Sequence, residues 1–237
     1  VTAELVRGQN HPLPGGRLEI LVSAGTPVIA GATLNDERGR MRDARWCAHP
    51  ASPRLPGVEV PRQAAAEHRL TVDPAALPRD VHRVNVLLAL PEGPGGPAGF
   101  AGLPAPFLAV TGPDGTVLVS CTVLGLGDES AVVALELYRR QGAWKIRAVG
   151  QGYAAELAAL LADQGLPDGR RVTKAAMAAV AVGRNRSSAA AARRGRGREP
   201  GRRPGPDFRR SVRRRLHRAG RARRRRPPPS APCPRSP

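Results

Sequence analysis

The chain has 237 residues, with 38 Lys+Arg against 19 Asp+Glu and a formal net charge of +19. Its three cysteines, Cys47, Cys121 and Cys233, form no C-x-x-C pair, which excludes a disulfide framework and a zinc module. No window holds the ~18 apolar residues of a membrane span, so no membrane partner is expected. Val1–Gly8 lacks the basic flank and apolar run of a secretory leader, and with the unpaired cysteines this predicts a cytoplasmic protein.

In chain order, Leu18–Val22 follows a Pro-Gly-Gly turn and reads as a strand, and Pro27–Ala30 reads as a second one after Ser23-Ala24-Gly25. Met41–Ala48 is the next expected strand, with Trp46 in the core. Residues 49–63 hold four prolines and no periodicity, so they read as a long loop or a broken edge strand. His68–Val72 is a short strand. Val84–Leu90 is apolar on both faces, which predicts a central strand. Pro91–Gly102 is a Gly/Pro loop with no helix after it, so it is not a phosphate cradle. Pro106–Thr111 and Thr116–Val123 flank Gly112-Pro113-Asp114-Gly115, a type I turn.

Ser130–Gly165 is the most informative stretch. With Gln141-Gly142 as a two-residue hairpin loop, Leu137 faces Ile146 and Leu135 faces Ala148. On the other face Glu136 meets Arg147 and Tyr138 meets Lys145. One face is apolar and the other charge-paired, and a one-residue slip would destroy both patterns. Arg139 lies across from Trp144, where a guanidinium over an indole is favourable. Gly150-Gln151-Gly152 is expected to turn the chain out of the strand. Tyr153, Leu157, Leu160 and Leu161 then follow the i, i+4, i+7, i+8 stripe of a covering helix, stopped at Gly165.

The body therefore reads as a mainly β fold: an antiparallel β-sandwich with one C-terminal amphipathic helix, spanning residues 1–168. Residues 169–237 read as a separate, disordered tail rich in Arg, Pro and Ala. The charge divides sharply. Residues 1–169 carry 15 Lys+Arg and 17 Asp+Glu, whereas residues 170–237 carry 23 and 2. Within the tail, Val172–Val182 is an Ala-rich piece capable of transient helix. Three readings of the tail compete. The first is an arginine arm binding nucleic acid without sequence preference, through Arg213, Arg214, Arg215, Arg223, Arg224, Arg225 and Arg226. The second is a solvated extension of no specific role. The third is a frame-shifted product of a GC-rich gene, since Arg, Ala, Gly and Pro have codons beginning with two G/C bases.

No catalytic constellation can be assembled. His11, His49, His68, His82 and His217 include no pair at helical metal-ligand spacing. Cys47 and His49 would share a strand face, but two ligands do not make a site. Asp36-Glu37 and Asp128-Glu129 are adjacent acids in expected turns. No nucleophile elbow, Walker loop or dinucleotide fingerprint is present.

Glu136–Tyr153 closely resembles the ELYR-x-x-G-x-W-K-x-R-A-V-G-Q-G-Y signature of the TerD family of bacterial tellurium-resistance and general stress proteins. The resemblance extends more weakly through residues 1–168. It implies a cytoplasmic, non-enzymatic stress-response module acting through other stress-response proteins, with calcium held in acidic loops. Family members carry D-x-D on an early strand, and Val28 and Ala30 stand at the matching positions here. The second acidic loop corresponds to Pro53–Gln63, where Glu59 is the only acid. Hard cations need six or more oxygens, several of them charged. The expectation is therefore a divergent member that has lost high-affinity calcium and uses no cofactor.

Overall fold

A computed structural model describes residues 2–93 and 96–194 of the chain. The described residues are mainly β. Twelve strands are present among them: β1 (Ala3–Leu5), β2 (Asn10–Pro12), β3 (Leu18–Asn35), β4 (Cys47–Ala48), β5 (Arg54–Leu55), β6 (Val58–Glu59), β7 (Ala65–Val72), β8 (Arg83–Ala89), β9 (Phe107–Thr111), β10 (Val117–Thr122), β11 (Ala131–Arg140) and β12 (Ala143–Tyr153). Two helices follow, α1 (Glu156–Asp163) and α2 (Gly169–Arg194).

The element that organises the sheet is β3. Its first part, Leu18–Ser23, pairs with β7 on one side and β9 on the other. Its second part, Ile29–Asn35, pairs with β8. The two strands expected here are thus one strand of 18 residues. Ser23-Ala24-Gly25 bends the chain without releasing it: the register against β7 shifts between Ser23 and Val28, and Gly25 takes φ 69°. A Cβ at Gly25 would stand 2.9 Å from the Pro104 ring, so the bend requires glycine.

The main path runs β1-β10-β9-β3-β8-β11-β12-β2. Both of its ends come from the N-terminal segment. β1 pairs with β10 in parallel, and β2 pairs with β12. Between them, Gly8 N–H donates to the Ala148 carbonyl (2.8 Å) and Ala148 N–H donates to the Gln9 carbonyl (3.1 Å). The expected sandwich of all-antiparallel sheets is therefore corrected to one continuous, nearly closed sheet with a parallel pair at its seam. Other local expectations change less. Trp46 is buried, but it ends a 3-10 turn (Ala44–Trp46) rather than lying on a strand. Residues 49–63 hold the short strands β5 and β6.

The hairpin has the register that its residues demand. Leu135↔Ala148, Glu136↔Arg147, Leu137↔Ile146, Tyr138↔Lys145 and Arg139↔Trp144 are all paired. Gln141 (φ 53°) and Gly142 (φ 78°) form the two-residue turn. Leu34, Val84, Leu137 and Ile146 lie in one row across β3, β8, β11 and β12, and each is at most 1% exposed. Burying one such aliphatic side chain stabilises by roughly 1.5–3 kcal/mol. The turn expected at Gly150-Gln151-Gly152 is instead a bulge. β12 continues to Tyr153, with an extra residue between the pairs Leu135↔Ala148 and Val133↔Gln151.

Helix α1 buries Leu157, Leu160 and Leu161, and Gly165 (φ 87°) follows its C-terminus as the sequence predicts. A second helix, α2, then begins at Gly169, where the disordered tail was expected to start. Val172, Ala176 and Val180 are buried at intervals of four, and Leu166 is buried just before them. A Cβ at Gly169 would stand 2.8 Å from the Ala158 carbonyl oxygen, so α2 starts in close approach to α1. The single-helix expectation is corrected to two helices. Residues 195–237 lie outside the described residues, as do all seven arginines proposed for nucleic acid.

Candidate functional site

The positions matched to the calcium aspartates sit at the bend of β3. Val28 and Ala30 are both fully buried. Val28 pairs with Ala65, and Ala30 with Leu88. Neither side chain has an oxygen to offer. Nε2 of His68 lies 2.7 Å from the Val28 carbonyl oxygen and 3.2 Å from the Ala65 nitrogen. One nitrogen cannot donate to the first and accept from the second at once, and the shorter distance favours donation to Val28. Burial holds the His68 imidazole below its usual pKa, partly offset by that hydrogen bond. In the corresponding acidic loop, Glu59 is engaged by Arg54 at 3.0 Å. Among the described residues no group of three or more His, Cys, Asp or Glu side chains is placed to hold a metal ion. The donors at these positions do not fit a hard cation.

The other candidates are explained by local structure. Asp36 Oδ1 accepts from the N–H groups of Arg38 (2.9 Å) and Arg40 (2.8 Å), closing the turn after β3. Glu129 Oε2 accepts from Gly127 N–H at 2.5 Å, and that bond holds its carboxyl below the usual range. Cys47 is buried and its thiol is pushed up to about 12, as burial also does to Cys121. His49 lies beyond β4 in a bridge with Ser52, its Nδ1 buried and without a partner. A groove of about 930 Å³ along α1 and α2 is lined by six alanines together with Met177, Arg170, Lys174 and Glu156 among others.

What the structure does bring together is a polar row across the outer face of β3, β8, β11 and β12. Thr33, Asn85, Glu136 and Arg147 are in register. The Glu136 side chain is only 6% exposed and is clamped by Arg147 (2.5 Å) and Arg83 (3.3 Å). Asn85 Nδ2 donates to Asn35 Oδ1 (3.1 Å). Gln164 closes the row from the end of α1, where its Oε1 accepts from Thr33 Oγ1 (2.5 Å) and Asn35 Nδ2 (3.2 Å). A second tie links sheet and helix. Gln151 Nε2 donates to the Tyr153 hydroxyl (2.7 Å), which donates to Asp163 (2.6 Å). Burial first, then Asp163, holds the Tyr153 phenol above its usual range. The sequence signals Glu136–Arg147 through hairpin register. It gives no signal for Arg83, Asn35, Asn85 or Gln164, which arrive from distant elements.

Within it Glu136 has two cations, Asp163 has the Tyr153 hydroxyl, and Asn35, Asn85 and Gln164 are hydrogen-bonded. It anchors α1 and binds the hairpin to β8.

Comparison with known proteins agrees with the hairpin. The TerD domain family matches residues 58–163. The chain is 28% identical over 102 residues to chemical-damaging agent resistance protein B of Clostridium acetobutylicum, covering 42% of this chain and 73% of that protein. It is 32% identical over 93 residues to tellurium resistance protein TerD of Alcaligenes sp., covering 38% of this chain and about half, 48%, of that relative. Among solved structures, the protein of unknown function SAV2460 superposes with a TM-score of 0.50 at 17% identity, over 62% of this chain and 94% of that one, a likeness of fold alone. The family match begins after Val28 and Ala30 and ends at the last residue of α1. Residues 58–163 thus match the TerD domain family, and over that stretch the chain is similar to proteins named for resistance to tellurium and to chemical damage.

Proposed function

We propose that this protein is a non-enzymatic, cytoplasmic stress-response module of the TerD type, which works by binding other stress-response proteins and needs neither calcium nor another cofactor. The TerD match over residues 58–163 carries the reading. Support comes also from relatives named for resistance to tellurium and to chemical damage. The apolar, buried Val28 and Ala30, with the adjacent carbonyl engaged by His68, support the loss of calcium. The polar groups of the sheet face are spent on one another, which favours a scaffold over a catalyst. No helix among the described residues is long and apolar enough to cross a membrane.

A chromosomal deletion tests this role. The deletion strain should lose tolerance to tellurite or to an oxidant, and the full chain expressed in trans should restore it, in medium with or without a calcium chelator. Unchanged tolerance to both agents would overturn the reading. The sharp charge division at about residue 170 favours a second one, a nucleic-acid-associated protein acting through its arginine-rich segment. Truncation after Arg194, which keeps the buried stripe of α2, separates the two, because it should abolish nucleic-acid binding only under the second.

A further inference from the structure

The polar residues of the family signature do more than pair the hairpin. Glu136, Tyr138 and Arg140 on β11 share the outer face with Lys145 and Arg147 on β12 and Arg83 on β8. Arg83, Tyr138 and Lys145 form one row across three strands, and Asn85, Glu136 and Arg147 form the next. Adjacent strands lie about 4.8 Å apart and same-face neighbours on a strand about 7 Å apart, so the backbone positions of these cations neighbour that of Tyr138. Arg147 holds its guanidinium 5.8 Å from the ring centroid.

The charge on this face is one-sided. Its single acid, Glu136, is buried and already taken by Arg83 and Arg147. Lys145 and Arg140 have no acidic partner among the described residues. Residues 1–169 as a whole carry more acids than bases, so this is a local concentration of positive charge. The face is also open. Gln164, just past α1, covers Thr33 and Asn35 at the β3 end of these rows, whereas at the hairpin end Tyr138 is half-buried and Arg140 and Arg147 are exposed.

We infer that this face binds single-stranded nucleic acid, with phosphates on Arg140 and Lys145 and a base stacked on Tyr138. A polyanion is required by the charge. A ring set among cations on a sheet surface suits an unpaired base, which a duplex does not offer. An acidic peptide would use the cations and leave the ring idle. The site is built from sheet residues, without the arginine-rich segment, and goes beyond the function proposed above.

The test uses the full chain and an oligothymidylate 20-mer carrying 5-iodouracil. Photocross-linking and peptide mapping should place a cross-link at Tyr138. The double substitution Arg140→Glu/Lys145→Glu should weaken binding at least tenfold at fixed salt and flatten its salt dependence by about two phosphate contacts. Tyr138→Leu should abolish that cross-link, and Tyr138→Phe should keep it. Cross-links confined to residues 170–237, with unchanged affinity in the double variant, would overturn the inference while leaving tail binding intact. Displacement by polyglutamate as effective as by unlabelled oligothymidylate would also overturn it. Should the double variant be unfolded by circular dichroism, Arg140→Gln/Lys145→Gln serves in its place, with the same expected direction.

Discussion

The bend of β3 and the β11–β12 hairpin lie in the same sheet and have been treated differently. At the bend, Val28 and Ala30 are apolar and closed, and the backbone carbonyl is held by His68. At the hairpin, Glu136, Tyr138, Lys145 and Arg147 keep a polar outer face over an apolar inner one. Both regions contribute to the core, but only the hairpin sets charged residues over its apolar face. One sheet is thus closed at one place and polar at another. The hairpin register is fixed by charge and apolar pairing together, while Val28 and Ala30 are core alone.

The strongest way to break this comparison is to place an acid at the bend. Val28→Asp would bury a carboxylate at a fully buried core position, at a cost of roughly 4 kcal/mol or more. The expected outcome is a chain largely unfolded at 37 °C and not rescued by millimolar calcium, read by circular dichroism. A folded variant stabilised by calcium would show that the bend can hold a metal ion.

Next in size is the inner face of the hairpin. Leu137→Ala removes a fully buried side chain from the central row and should cost about 3 kcal/mol in urea unfolding. A loss under ~1 kcal/mol would mean that the row is not the core of the sheet.

Gln164→Ala leaves Thr33 and Asn35 without their helix partner and should cost about 2 kcal/mol. Amide exchange should speed up selectively in α1, because the tie from helix to sheet is lost. Uniform acceleration across the sheet would place Gln164 in the global core instead.

The smallest effect is a pH dependence at the bend. Folded His68 and His49 both resist protonation because they are buried, so below their usual pKa of 6.5 the unfolded state binds more protons. Their contribution to stability is therefore complete above pH 6.5 and is lost as the pH falls towards the depressed folded values. Thermal midpoints should drop between pH 7 and 5, and His68→Gln should shrink that drop. An identical profile for the variant would show that His68 does not titrate with unfolding.

The hairpin was legible because alternation and charge pairing both demand one register. The central place of β8 was legible because its residues are apolar on both faces. The continuity of β3 was not, since Ser23-Ala24-Gly25 has the composition of a turn, and only the Pro104 contact explains why Gly25 bends the strand instead. The α2 helix was missed because its buried stripe is Val172, Ala176 and Val180, too small to stand out in an Ala- and Arg-rich segment. The Glu136 clamp was half legible. Arg147 follows from the register, but Arg83 comes from a strand 53 residues earlier, and nothing local announces it.

Calcium titration of the full chain by isothermal calorimetry decides whether the bend binds the cation. No saturable heat is expected with calcium up to the millimolar range, and the thermal midpoint should be unchanged in a chelator. Stoichiometric binding at micromolar calcium, with the midpoint rising on calcium addition, would contradict that expectation.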